Sequence, residues 1–106
     1  MELADDFDLD QMTEAADRAC ALMKTLGHKG RLMILCQLAS GEKSVGELSN
    51  NLNIPQSPLS QHLSRMRKEE LVATRRDAQT IYYSLKAPEA KSIIERLYEI
   101  YCAPGE

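Results

Sequence analysis

No apolar run in this chain approaches the roughly 20 residues that cross a bilayer as a helix, so no membrane contact is expected. The opening residues, MELADDFDLD, are acidic and lack the basic-then-apolar order of a secretion signal, which points to the cytoplasm. Cysteine occurs three times, an odd number that fits no structural disulfide framework in that compartment. Only two histidines exist, His28 and His62, and no spacing assembles the four ligands of a tetrahedral metal site. The chain also lacks a phosphate-cradling loop and any nucleophile–base–orienter set, so neither an enzyme nor a cofactor is expected. Aromatic residues are scarce, with four Tyr, one Phe and no Trp. Internal repeats and low-complexity linkers are missing as well.

What is present suits one domain. The chain has 106 residues, of which 43 % are hydrophobic and 27 % charged. At this length roughly 65 % of the extended-chain surface is buried on folding, enough for a core with little margin. The net charge of −3 looks wrong for a nucleic-acid partner until it is mapped. Seven of the 16 acids lie in residues 1–17, where there is no base, which leaves nine acids against all 13 bases. Arg65, Arg67, Lys68, Arg75 and Arg76 then fall within one short stretch. A basic cluster of this kind also suits an ordinary solvated surface.

Periodicity orders the elements. Residues 1–9 form an acidic arm. Met12, Ala16, Ala19, Cys20, Met23 and Leu26 recur at helical spacing and predict a first helix over residues 10–26, closed by Gly27 as a C′ residue. A second helix over 28–39 presents Leu32, Leu35, Cys36 and Ala39 on one face. Ser44-Val45-Gly46-Glu47 is a capping box that starts a short third helix packed through Val45, Leu48 and Leu52. After a break at Ile54-Pro55-Gln56, Leu59, Leu63 and Met66 mark one face of a fourth helix. The period then changes to two: Val72-Ala73-Thr74-Arg75-Arg76 and Ile81-Tyr82-Tyr83-Ser84-Leu85 predict a β-hairpin around Asp77-Ala78-Gln79. Pro88 opens a last helix, striped by Ala90, Ile93, Ile94, Leu97, Tyr98 and Tyr101. Residues 103–106 form a tail.

This αααα-ββ-α order, mainly α with a small β-hairpin, is that of a winged helix-turn-helix over residues 10–102. The fourth helix carries Ser57, Ser60, Gln61, Ser64, Arg65 and Lys68 opposite its apolar stripe, with no acid before Glu69. Such a face suits the major groove of double-stranded DNA. An amide can pair with adenine N6/N7 and a guanidinium with guanine O6/N7, while hydroxyls adapt to either. Gln56, His62 and Gln79 extend the surface expected to meet DNA, and Arg75 and Arg76 on the wing would hold the backbone or minor groove. The plainer alternative is that Ser57 and Ser60 cap the helix and Gln61 stays idle at the surface. Both terminal helices carry more apolar stripe than a monomer of this size covers. A homodimer through Met12, Ala16, Cys20, Ile94, Leu97 and Tyr98 is therefore expected. A winged helix that binds only protein fits the acidic total, but the Arg65–Arg76 stretch opposes it.

The segments GHKGRLMILCQL, SVGELSNNLNIPQSPLSQHLSRMRKEELVATRRDAQTIYYSL and IERLYEIYC resemble the ArsR/SmtB family of bacterial winged-helix repressors. The likeness spans about residues 15–102 and is strongest to the metal-independent, reactive-sulfur-sensing HlyU/BigR/SqrR/YgaV branch. It implies a homodimeric repressor on an inverted-repeat operator, released by its inducer. Metal-sensing members place thiolates in the short third helix, where this chain has Ser49 and Asn51. Others use His on the last helix, which has none here. In the sulfur-sensing branch, cysteines at the positions of Cys36 and Cys102 are the redox pair. The resemblance thus implies a sensor of reactive sulfur species (persulfide or sulfide) through a Cys36–Cys102 dithiol that forms a (poly)sulfide bridge. A sensor of peroxide or electrophiles, or of metal, remains the alternative, as does simple packing of both thiols on apolar stripes.

Overall fold

A computed structural model describes residues 8–102 and orders them as α1 (Leu9–Leu26), α2 (Lys29–Ala39), β1 (Lys43–Ser44), α3 (Val45–Leu52), α4 (Gln56–Lys68), β2 (Val72–Asp77), β3 (Thr80–Leu85) and α5 (Pro88–Tyr101). Asp8 caps α1 by accepting the Gln11 amide at 2.7 Å. Asp8 and Leu9, expected in the acidic arm, thus belong to the helix start. The rest of that arm and the tail at 103–106 lie outside the described residues. Gly27 ends α1 in a right-handed conformation (φ −73°) rather than the left-handed one of a C′ glycine. A β-carbon there would lie 3.2 Å from the Met23 carbonyl oxygen, close enough to favour glycine.

The buried face of α2 differs from the expected one. Ile34, Leu35 and Leu38 enter the core, Leu32 and Ala39 are half-buried, and Cys36 is exposed. Apolar residues surround most of this short helix, so their spacing does not choose among possible stripes. Around α3 the capping box forms as expected, with the Glu47 amide on Ser44 Oγ at 3.1 Å and the Ser44 amide on Glu47 Oε1 at 2.8 Å. Asn53 ends that helix in the left-handed region (φ 58°). Pro55 then precedes the first turn of α4, where Pro58 lacks a donor that would have no intrahelical partner anyway.

Three strands form the sheet, in order β1-β3-β2, rather than the expected two. Lys43 and Ser44 pair antiparallel with Tyr83 and Tyr82. Two residues are too few to display an alternation, which is why β1 left no sequence signal. Strands β2 and β3 pair from Val72↔Leu85 to Asp77↔Thr80, leaving Ala78 and Gln79 as the turn. The core joins Ile34 and Leu35 of α2, Leu48 of α3, Leu59, Leu63 and Met66 of α4, Val72 of β2, and Ala90 and Ile94 of α5. Burial of Leu59, Leu63 and Met66 sets the rotation of α4 about its axis, since each buried side chain of this size contributes ~1.5–3 kcal/mol. Its polar face is thereby turned outward.

Candidate nucleic-acid interface

On the outward face of α4, Gln56, Ser57, Ser60, Gln61, Ser64, Arg65 and Lys68 are all exposed. No side chain caps the helix, so neither Ser57 nor Ser60 is occupied in that way. Ser60, Gln61, Ser64, Arg65, Lys68 and Glu69 line an open concavity of about 560 Å³. His62 sits differently: it is half-buried, with its ring 4.7 Å from that of His28, which caps α2 by accepting the Gly30 amide. Burial, then the charges of His28, Arg31 and Arg65, push its pKa down. The His62 ring is thus braced against His28 at the start of α2, in surroundings that favour its neutral form.

The two wing arginines separate. Arg75 donates Nε and Nη2 to the Glu42 carboxylate at 2.8 and 2.9 Å, lies 4.7 Å from the centre of the Tyr82 ring, and comes within 3.9 Å of Asp77. Its charge is matched within the protein by Glu42. The neighbouring Arg76 is exposed and forms no ion pair among the described residues. Gln79 is exposed in the turn. The Glu42 contact joins residues 33 apart, beyond the reach of local pattern.

The terminal helices leave apolar side chains in solvent. Met12 is 42 % exposed and Tyr98 57 %, and Ala16 and Cys20 are exposed too, while Leu97 is half-buried. Ile94 corrects the expected interface. At 3 % exposure it belongs to the core of its own chain, while adjacent Ile93 is accessible. Residues 94 and 97 share a stripe in sequence, but α5 packs on α2 with only part of it.

All three cysteines are exposed free thiols, which disposes of simple core packing for Cys36 and Cys102 within the chain. Cys36 lies on α2 and Cys102 caps the end of α5, and these helices pack together. Partial burial, and next the charge of Cys102, raise the pKa of the Cys36 thiol. Among the described residues no three His, Cys, Asp or Glu side chains are grouped to hold a metal ion.

A core-locked helix with a polar outer face, a preceding short helix and a β-wing define a winged helix-turn-helix DNA-binding domain. The sequence profile of the bacterial regulatory protein arsR family matches residues 28–74. Transcriptional activator HlyU of Vibrio cholerae serotype O1 is 45 % identical over 98 residues, which cover 92 % of this chain and 91 % of the relative. The biofilm growth-associated repressor of Agrobacterium fabrum is 48 % identical over 98 residues, covering 92 % of this chain and 84 % of that protein. The solved structure of reduced HlyU from Vibrio cholerae superposes with a TM-score of 0.85 at 46 % identity, covering 89 % of this chain and 99 % of that one. The chain belongs to the ArsR family and is a DNA-binding transcriptional regulator, not an enzyme.

Proposed function

We propose that the protein is a cytoplasmic homodimeric repressor that binds an inverted-repeat operator and releases it when reactive sulfur joins Cys36 to Cys102. What supports the proposal is that Cys36 on α2 and Cys102 at the end of α5 are exposed free thiols on two helices that pack together. Cys36 shares its helix with Leu35 and Leu38 of the core on which α4 rests. A bridge between α2 and α5 would therefore strain the helix that supports the reading face and the helix proposed to hold the dimer. A reduced form of the Vibrio cholerae relative has been solved, and this supports a redox reading of the thiols.

The chemistry balances without an outside oxidant. Two protein thiols and two molecules of an organic persulfide yield one protein trisulfide, two molecules of the organic thiol and one hydrogen sulfide. Thiolate attack on the outer persulfide sulfur transfers that sulfur, and the second persulfide takes up the electrons released on bridging. Each inserted sulfur lengthens the bridge by up to ~2 Å, which relaxes the Cα separation of roughly 4.4–6.8 Å that a direct disulfide demands. A hundred-fold loss of DNA affinity needs only ~2.7 kcal/mol of coupling.

Mass spectrometry and fluorescence anisotropy on the same samples test the reading. Organic persulfide should join Cys36 to Cys102 within one chain and weaken DNA binding. Cys36→Ser and Cys102→Ser should bind DNA but lose the response, while Cys20→Ser should behave as wild type. Loss of the response in Cys20→Ser with retention in Cys36→Ser would overturn the assignment. An equal response to peroxide would make the protein a general thiol sensor, and a response to Zn²⁺ alone a metal sensor.

A further inference from the structure

We infer that Glu69 is a positioning residue for base reading: held by the buried hydroxyl of Thr25, it fixes the Arg65 guanidinium on the outer face of α4. The inference rests on the DNA-reading role proposed for that face. Thr25, next to last in α1, is 1 % exposed and is the buried polar residue among those described. Its hydroxyl has two acceptors within reach, the Ala21 carbonyl at 3.5 Å and Glu69 Oε1 at 2.7 Å. A hydroxyl has one proton, and the shorter bond to an ionised carboxylate takes it. The other carboxylate oxygen, Glu69 Oε2, accepts from Arg65 Nε at 3.2 Å. On the far side, Arg31 donates Nε to the Thr25 carbonyl at 3.2 Å and Nη2 to the Lys24 carbonyl at 3.4 Å, which fastens the end of α1. A chain of hydrogen bonds therefore runs from α1 through Glu69 to the guanidinium.

Local helix physics does not account for this glutamate. Arg before Glu at i,i+4 is the weaker order for a helical ion pair, and both partners are well exposed to solvent. Glu69 also caps the C-terminal end of α4, where the helix dipole disfavours negative charge. An acid on this surface opposes approaching phosphates as well. What it supplies is orientation. With Nε bound to the carboxylate, the two terminal nitrogens of Arg65 remain to donate in parallel, the arrangement that guanine O6 and N7 require. Ordering the side chain before DNA arrives reduces the rotamer freedom given up in the complex.

Selection from a randomised duplex library, followed by sequencing, reads base preference position by position for each variant, with circular dichroism melts confirming that each is folded. Wild type should prefer guanine at one position in each half-site, and Arg65→Ala should lose that preference. Glu69→Ala should reduce it about 5-fold, part of the ~5- to 150-fold discrimination that a bidentate pair supplies. Other positions should keep their preferences, and affinity for bulk random duplex should rise slightly because an acid has gone. Thr25→Val should act in the same direction, Glu69→Gln should retain part of the preference, and Thr25→Ser should match wild type. Full guanine preference in Glu69→Ala, with its loss in Arg65→Ala, would overturn the positioning role and leave the reading face intact. Preference unchanged in Arg65→Ala would overturn both. Equal flattening at every position in Glu69→Ala would reduce the residue to general support of the helix and overturn the inference.

Discussion

Ala78 carries the wing turn at φ 58°, a left-handed conformation that costs a residue with a β-carbon roughly 1–2 kcal/mol. Its side chain is exposed and offers no polar group in return. Ala78→Gly should raise stability by ~0.5–1 kcal/mol, after allowing for the larger unfolded-state entropy of glycine. That is a rise of a few degrees in the thermal midpoint at fixed protein concentration. A lowered midpoint would show that the turn is unstrained. The thiol of Cys36 supplies a second measurement at this scale. Burial first, and the charge of Cys102 second, raise its pKa, and the thiolate is the reactive form. Cys36 should therefore alkylate more slowly than an ordinary thiol at neutral pH, with its half-maximal rate at a pH above the ordinary value of about 8.5. Cys102→Ser removes the second cause and leaves the first, so the midpoint should fall yet stay above the ordinary value. Mass-spectrometric alkylation across a pH series measures it, and a midpoint that does not move would separate the two sulfurs.

Two elements meet DNA in this reading, and they divide the work unevenly. On α4, Arg65→Ala and Gln61→Ala should each weaken specific binding by ~1–3 kcal/mol, the contribution of a bidentate base contact. The wing acts through charge. Arg76→Ala should lower affinity evenly across sequences and reduce the salt slope by about 0.9, the value for a single neutralised phosphate. Arg75→Ala should do less, because Glu42 already balances its charge. Glu42→Ala should raise affinity for random duplex, since it frees a cation and removes an acid. Anisotropy titrations over a salt series distinguish these variants. Equal losses for Arg75→Ala and Arg76→Ala would mean that the Glu42 pair opens on DNA.

At the scale of the whole molecule, shape and surface suit the proposed homodimer. The radius of gyration, 15.8 Å, exceeds the ~13 Å of a compact chain of this length, and α1 and α5 expose apolar side chains. Replacing Met12 and Tyr98 with Asp places charge on that exposed surface without touching the core. Sedimentation should then report monomers that retain the native circular dichroism spectrum, and operator affinity should fall because one half-site buries too little surface. An unaltered dimer would place the interface elsewhere. Ile94→Asp should instead unfold the chain, since it leaves an unpaired charge in the core.

The order of helices, the capping box at Ser44 and Glu47, the hairpin and the outward face of α4 were legible in the sequence because each depends on residues within a few positions of one another. Side-chain period and end-capping are local properties, and Leu59, Leu63 and Met66 state the rotation of α4 as clearly as the folded chain does. Contacts between residues far apart in the chain were not legible. Tertiary packing decided that Ile94 faces inward, that Cys36 stands exposed on a helix with apolar residues around most of its girth, and that Lys43 and Ser44 add a third strand. It also decided that Glu42 takes Arg75 and that Thr25 holds Glu69, pairs 33 and 44 residues apart. The physical reason is the same in each case: a period says which residues share a face, and only the neighbouring elements determine what that face meets.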